Sequence, residues 1–220
     1  MRREFIKRIL SSIILIPLAI FFIVKGSFLF NFFIIICFLI TSYEWHMMSK
    51  KKSYYFLGLI FLIFSFYTVY ELRNISEDVS LSLFLFITLI CVSTDIGGYI
   101  FGKIFKGPKL IKLSPNKTYS GMIGGYLLSI IFANFFIEYT YVFGLNDIEF
   151  TIESFIIVLL ISTVSQIGDI IISYFKRLSK IKDTGKIIPG HGGLLDRIDG
   201  MIFVFPFSYI ILSINIFQYF

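Results

Sequence analysis

Four carboxylates, six basic side chains and a histidine fall within the 35 residues from Gln166 to Gly200, in a chain that is 57% hydrophobic and only 15% charged. Asp196 and Asp199 are three positions apart, so on a helix they share a face one turn from each other. Asp169 lies near the end of the preceding apolar run, from which it can meet them across a helical bundle. Three hard oxygen donors suit magnesium, which takes near-octahedral oxygen coordination completed by water and substrate phosphates. Asp169, Asp196 and Asp199 are in this respect suited to a magnesium site. The competing reading pairs these acids with Lys176, Arg177 and Arg197 in interfacial ion pairs worth about 0–1 kcal/mol each. Against it, Asp196 and Asp199 directly precede a return into apolar sequence, where a carboxylate without a partner is costly.

Between these acids, Pro189, Gly190, Gly192 and Gly193 surround His191. Glycines at this density permit positive φ and expose N–H groups that can cradle an anion. His191, Gly192 and Gly193 are thus expected to touch a ligand, with a purely structural histidine as the alternative. Zinc is disfavoured, because no cysteine is near and His46, the other histidine, belongs to a different loop. Further upstream, Asp95 stands near the end of an apolar run in CVSTDIGGYIFGK. An acid there costs about 2.5–3.5 kcal/mol at mid-bilayer and less toward the interface, which implies a partner or a purpose. Gly97, Gly98 and Gly102 after it either admit close approach of a ligand or backbone, or form a helix-packing face. In KGPKLIKLSPNKTYSGMIGG, Ser114, Lys117 and Thr118 surround Pro115 in a turn composition. Hydroxyls and an ammonium just before a helix suit a phosphate. An ordinary N-cap by Thr118 or Ser120 is the plain alternative.

The elements that must position these groups are membrane helices. A soluble domain carries about 25% charged residues, whereas these 220 residues have a mean hydropathy of +0.86. A transmembrane helix consumes about 20 apolar residues, so no separate soluble domain fits. Apolar runs near Ile9–Val24, Ser27–Tyr43, Tyr54–Tyr70, Val79–Phe101, Gly121–Phe136, Ile152–Ile172 and Met201–Phe220 predict seven spans. The first follows Arg2, Arg3, Lys7 and Arg8, as a secretory signal would, but no small-x-small cleavage site comes after it, so an uncleaved helix is expected. With the N-terminus inside, eighteen of the twenty basic residues fall on the cytoplasmic side and only Lys25 and Arg73 outside. Glu71, Glu77, Asp78, Glu138, Asp147, Glu149 and Glu153 collect outside, leaving about +11 within and −5 without of the overall +6.

The expected fold is accordingly all-α: a polytopic bundle of about seven spans with a cytoplasmic N-terminus. It forms one integral membrane domain over residues 1–220, with cytoplasmic catalytic loops at about 102–120 and 173–200. The first of those loops has room for a short re-entrant or interfacial helix. Topology and anionic lipid headgroups explain the pI of 9.2, and no nucleic-acid partner is expected. Cys37 and Cys91, both in apolar runs, read as buried free thiols. An ion- or proton-coupled transporter using Asp95 and Asp169 as intramembrane carboxylates stands as the alternative to an enzyme. The concentration of charge in loops, and the lack of an internal repeat, weigh against it.

From Ser173 to Asp199 the chain reads S-x-F-K-R-x4-K-D-x-G-x2-I-P-G-H-G-G-L-L-D-R-I-D. This resembles the signature of bacterial phosphatidate cytidylyltransferases, also called CDP-diglyceride synthases. Q-x-G-D at Gln166–Asp169, D-x-x-x-Y-x-x-G-K at Asp95–Lys103 and S-P-x-K-T at Ser114–Thr118 are similar to the family's other cytoplasmic motifs, in the same order. The resemblance covers Asp95 to Gly200. It implies that CTP and phosphatidate give CDP-diacylglycerol and pyrophosphate, with Mg2+, in phospholipid biosynthesis at the bacterial inner membrane, and it implies a homodimer. The family pattern assigns Asp169, Asp196 and Asp199 to the metal. Lys176, Arg177, Lys182 and Arg197 become candidates for pyrophosphate or phosphatidate oxygens. His191, Gly192, Gly193, Ser114, Lys117 and Thr118 would complete the nucleotide pocket, with Asp95 a further substrate-binding candidate. Asp183 either orients Lys182 or binds metal. Two departures stand out: Ile172 and Ser120 occupy positions where family members usually carry Glu. The attacking oxygen of such a reaction is already anionic, so no general base or triad is expected, and the protein's part is positioning and charge stabilisation.

Overall fold

The computed structural model describes residues 2–75, 80–111, 114–142, 150–190 and 192–214. In chain order its elements are α1 (Arg2–Lys25), α2 (Ser27–Ser49), α3 (Tyr55–Asn74), α4 (Ser80–Phe105), β1 (Lys109–Ile111), β2 (Ser114–Thr118), α5 (Tyr119–Val142), α6 (Ile152–Leu178), α7 (Leu195–Ile198) and α8 (Met201–Ser213). Among the described residues each apolar run of the sequence contains a helix, and several helices extend a turn or more beyond the run; Val79 and the end of the last run, 215–220, lie outside the described residues. The apolar stretch marks where a helix is sheltered, whereas backbone hydrogen bonding continues into the polar flanks, as from Ile172 to Leu178 in α6.

Among the described residues, α2 to α6 are long and apolar enough to cross a membrane, and Ser11–Lys25 and Met201–Ser213 are shorter apolar helices. Large side chains such as Ile14, Phe28, Leu57 and Phe135 are exposed on these helices, the surface expected of helices that face lipid. The chain is thus a multi-pass, predominantly helical membrane protein. Segment 102–120 differs from expectation, because it holds an antiparallel hairpin in which Lys109 pairs with Thr118 and Ile111 with Ser114. Pro115 has no N–H to give to a helix and is tolerated here because both strands of a two-stranded ribbon are edges.

The helices divide into two compact units. One comprises Met1–Leu81 with Phe175–Asp199, the other Ser82–Tyr174 with Gly200–Phe220. In the first, Gly26 at φ +62° turns the chain between α1 and α2. Arg73, at the end of α3, donates through Nε to the Ile23 carbonyl at 3.0 Å and lies over the Phe30 ring. This accounts for one of the two basic residues that the charge pattern leaves outside. Trp45 of α2 donates to the Tyr55 carbonyl at 3.0 Å. Its indole meets Gly58 of α3 so closely that any Cβ there would overlap the ring.

The second unit rests on small residues. A Cβ on Gly97 of α4 would sit 2.2 Å from the Gly124 carbonyl oxygen of α5, and one on Gly124 would strike the Phe101 ring. Gly97 therefore takes the packing role. Several hydroxyls in these helices find partners inside the protein, as apolar surroundings favour. Thr94 donates to the Ile90 carbonyl at 2.7 Å and lies 2.9 Å from Ser162 of α6, while Tyr126 of α5 meets Thr163 of α6 at 2.9 Å. Phe84 of α4 stacks on Phe205 of α8. Both cysteines are free, Cys91 buried and Cys37 half-buried.

Gly97 and Gly98 are neighbours in sequence but not in consequence. A Cβ at Gly98 would meet only the Gly121 carbonyl oxygen, at an ordinary 3.7 Å. Gly97→Ala is expected to destabilise the solubilised protein by about 1–3 kcal/mol through overpacking, whereas Gly98→Ala stays at or above wild type because alanine favours the helix. Equal melting temperatures for the two variants would contradict the α4–α5 crossing.

Candidate active site

In the first unit, α6 ends in a turn at Lys180, φ +56°, where the Ile181 N–H returns to the Lys176 carbonyl at 3.0 Å. The chain then runs through Lys182, Asp183 and Thr184 and doubles back at Ile188, whose N–H donates to the Gly192 carbonyl at 3.0 Å. Gly190 (φ +78°) and Gly192 (φ +89°) make that reversal possible. His191 lies outside the described residues, so its expected role is carried by the sequence alone.

The loop folds about Asp196. Lys176 Nζ donates to Oδ1 at 2.9 Å, and the backbone N–H groups of Thr184 and Gly193 donate to Oδ2 at 2.8 and 3.0 Å. Burial raises this carboxyl's pKa, but the hydrogen bond and charge of Lys176, with the two N–H donors, outweigh it and hold Asp196 below the usual aspartate value. Gly192 is wedged between two acids: a Cβ there would lie 3.0 Å from Asp196 Oδ2 and 3.3 Å from Asp183 Cβ. Asp199 is buried. Lys182, Asp183, Arg177 and Arg197 are exposed, and Arg177 donates to the Ile181 carbonyl at 3.3 Å.

In the second unit, Lys117 Nζ and Asp169 Oδ2 form an ion pair at 2.6 Å, and Ser173 donates to Asp169 Oδ1 at 3.3 Å. Two residues expected to serve different ligands are thus partners of each other here. Thr118 is an N-cap, its Oγ1 accepting the Gly121 N–H at 3.1 Å at the start of α5. Ser120, where family members usually carry Glu, lies 3.0 Å from the Thr118 hydroxyl. Ile172, the other departure, is core. Asp95 is exposed on α4, and the side chain of Ser114 in β2 lies outside the described residues.

Among the described residues, no group of three or more His, Cys, Asp or Glu side chains is gathered as a metal cage. Magnesium does not demand one, since one or two carboxylates and the phosphates of a substrate normally hold it. A carboxylate offers about four lone pairs, and Asp196 uses three. The donors are therefore right in kind for a hard cation.

Sequence reasoning missed Glu44. It sits near the C-terminal end of α2, only 1% exposed, and accepts from Thr184 Oγ1 (3.1 Å), Leu194 N (3.0 Å) and Leu195 N (2.8 Å). The available signal was a carboxylate at the very end of an apolar run, directly after Tyr43, much as Asp95 stands near the end of its own run.

A helical membrane protein whose signature loop is built around a lysine-paired carboxylate has the character of an enzyme that handles phosphorylated substrates at a lipid surface. The profile of the Cytidylyltransferase family matches residues 53–215. The chain is 38% identical to a phosphatidate cytidylyltransferase of Rickettsia felis, over 93% of this chain and 90% of that protein. It is 34% identical to one of Bacillus subtilis, over 72% of this chain and 57% of the relative, and 36% identical to one of Staphylococcus aureus, over 80% and 66%. The chain belongs to the cytidylyltransferase family and is a nucleotidyltransferase. The transporter alternative finds no support.

The lowered Asp196 pKa fixes the sign of a pH effect. Its ionised form stabilises the fold above the ordinary aspartate range, and that contribution fades as pH falls below about 4. Asp196→Asn should therefore flatten the acid limb of a melting-temperature profile measured in detergent, and parallel wild-type and variant profiles would contradict the Lys176, Thr184 and Gly193 contacts.

Proposed function

We propose that this protein catalyses CTP plus phosphatidate to CDP-diacylglycerol plus pyrophosphate at the inner membrane of a bacterium. The observation that carries the reading is the family match over residues 53–215, a span that contains every motif residue placed above. A phosphate oxygen of the lipid attacks the α-phosphorus of CTP, the new P–O–P bond forms, and the bond to the β-phosphate breaks to release pyrophosphate. The attacking oxygen is anionic at neutral pH, so no base need remove a proton. The chain's task is to hold two polyanions together.

In this reading the chain acts as one integral membrane domain, with its chemistry in segments 102–120 and 173–200. Lys176, Arg177, Lys182 and Arg197 bind pyrophosphate or phosphatidate oxygens, Arg favouring bidentate contact. The turn at Gly192 and Gly193, with His191, contributes to the nucleotide pocket, and Ser114, Lys117, Thr118 and Asp95 serve substrate as well. Asp169, Asp196 and Asp199 are the proposed ligands of Mg2+, in one or two ions, which would neutralise phosphate charge when bound. Lys176 and Lys117 pair with two of these acids, and in this reading both lysines pass to incoming phosphates. A cytoplasmic site, a homodimer and seven spans with the N-terminus inside complete the proposal.

Purified protein should convert labelled CTP and phosphatidate to CDP-diacylglycerol in the presence of Mg2+, and folded protein that yields no product refutes the function. Asp199→Asn, expressed at wild-type level, should lower turnover by about two orders of magnitude or more; a near wild-type rate removes Asp199 from the metal site. Reporters fused to the two ends are expected to read cytoplasmic at the N-terminus and external at the C-terminus, and a cytoplasmic C-terminus would change the number of spans.

A further inference from the structure

Glu44 has no role in the chemistry above, yet its surroundings are built for it. Among the described residues no Lys or Arg forms an ion pair with its buried carboxylate. The donors are instead the Thr184 hydroxyl and the Leu194 and Leu195 N–H groups, from two separate stretches of the signature loop. Hydrogen bonds to an ionised group are worth more than neutral ones, and leaving such a group unsatisfied costs more still. The loop closes tightly on the carboxylate: a Cβ on Gly185 would lie 2.5 Å from Glu44 Oε1, and one on Gly193 would lie 2.6 Å from Oε2. Gly185 is thus explained by proximity to Glu44, and Gly193 by proximity to Glu44 and to the Thr184 hydroxyl from which Glu44 accepts.

The same loop residues serve Asp196. Thr184 gives its hydroxyl to Glu44 and its N–H to Asp196. The N–H of Gly193 goes to Asp196, while those of Leu194 and Leu195 go to Glu44. Three successive amides are thereby divided between two carboxylates, so the position of one acid fixes the donors of the other. We infer that Glu44 is a positioning residue: from α2 it holds the two strands of the signature loop together, and so sets the geometry of Asp196 and of the Gly192–Gly193 turn that meets the nucleotide. This rests on the proposed function of that loop.

Glu44→Gln keeps the shape but replaces one oxygen by an NH2 group, which cannot accept from the facing amides. In the full-length protein in detergent, amide exchange at Leu194 and Leu195 should rise about tenfold with α3 unchanged. The KM for CTP should rise about fivefold or more while that for phosphatidate stays within about twofold. Thr184→Val, which removes one donor and leaves the carboxylate, should shift both readouts the same way by less, and it carries the test if Glu44→Gln does not fold. Unchanged exchange and KM in both variants overturns the inference, as does acceleration spread evenly over α2 and α3. Exchange decides the role of Glu44 and wild-type product formation decides the reaction, so the two can fail separately.

Discussion

A carboxylate removed from water keeps its charge only where protein donors replace the lost hydration, and this requirement organises the first unit. Glu44 and Asp196 need five donors beyond Lys176 between them if all are to come from one loop, and the loop supplies the Thr184 hydroxyl and the N–H groups of Thr184, Gly193, Leu194 and Leu195. That demand leaves little freedom in the segment. Gly185 and Gly193 cannot bear side chains, Gly192 must adopt φ +89° between Asp183 and Asp196, and α7 starts where the donors end. The density of glycine in the signature is therefore a consequence of two buried acids as much as of any ligand.

In the second unit the corresponding constraint is closeness of backbones. Lipid supplies no hydrophobic force to drive helices together, so contact depends on shape and on polar groups that match. Gly97 and Gly124 let α4 and α5 cross, and Thr94 with Ser162, and Tyr126 with Thr163, tie α6 to each of them. The α4 face that carries Asp95 in sequence is thus set by glycine spacing, and α5 begins on a cap, Thr118, that belongs to the strand before it.

Much of this was legible in the sequence. Helix positions followed from apolar runs because burial in lipid is a local property of composition, and the signature loop was recognisable because its residues are contiguous. What escaped was long-range or shape-dependent. Glu44 stands 140 residues or more from the donors that satisfy it, and nothing near it in sequence reveals them. The hairpin at 109–118 is too short for periodicity to separate from a turn, and hydropathy cannot register the hydrogen bonds that carry α6 past Ile172 to Leu178. The pairing of Lys176 with Asp196 is one that the sequence sets as a rival to ligand binding, whereas nothing in the sequence pattern pairs Lys117 with Asp169. Opposed charges within one site can satisfy each other and also serve a ligand, so the two readings are not exclusive.

The reach of the Glu44 contacts has a consequence for how the molecule is made. Leu194 and Leu195 follow Glu44 by 150 and 151 residues, an interval that takes on the order of 10–30 s at ordinary rates of bacterial synthesis. Throughout it α2 is already complete with an acid that has none of its final donors. The setting of Glu44 in α2 is therefore provisional until the residues from Thr184 to Leu195 have been made. Until residue 184 is made, the Glu44 carboxylate stands at the end of an apolar span with none of these donors, so the order of synthesis puts the costliest group of the first unit in place before the groups that satisfy it.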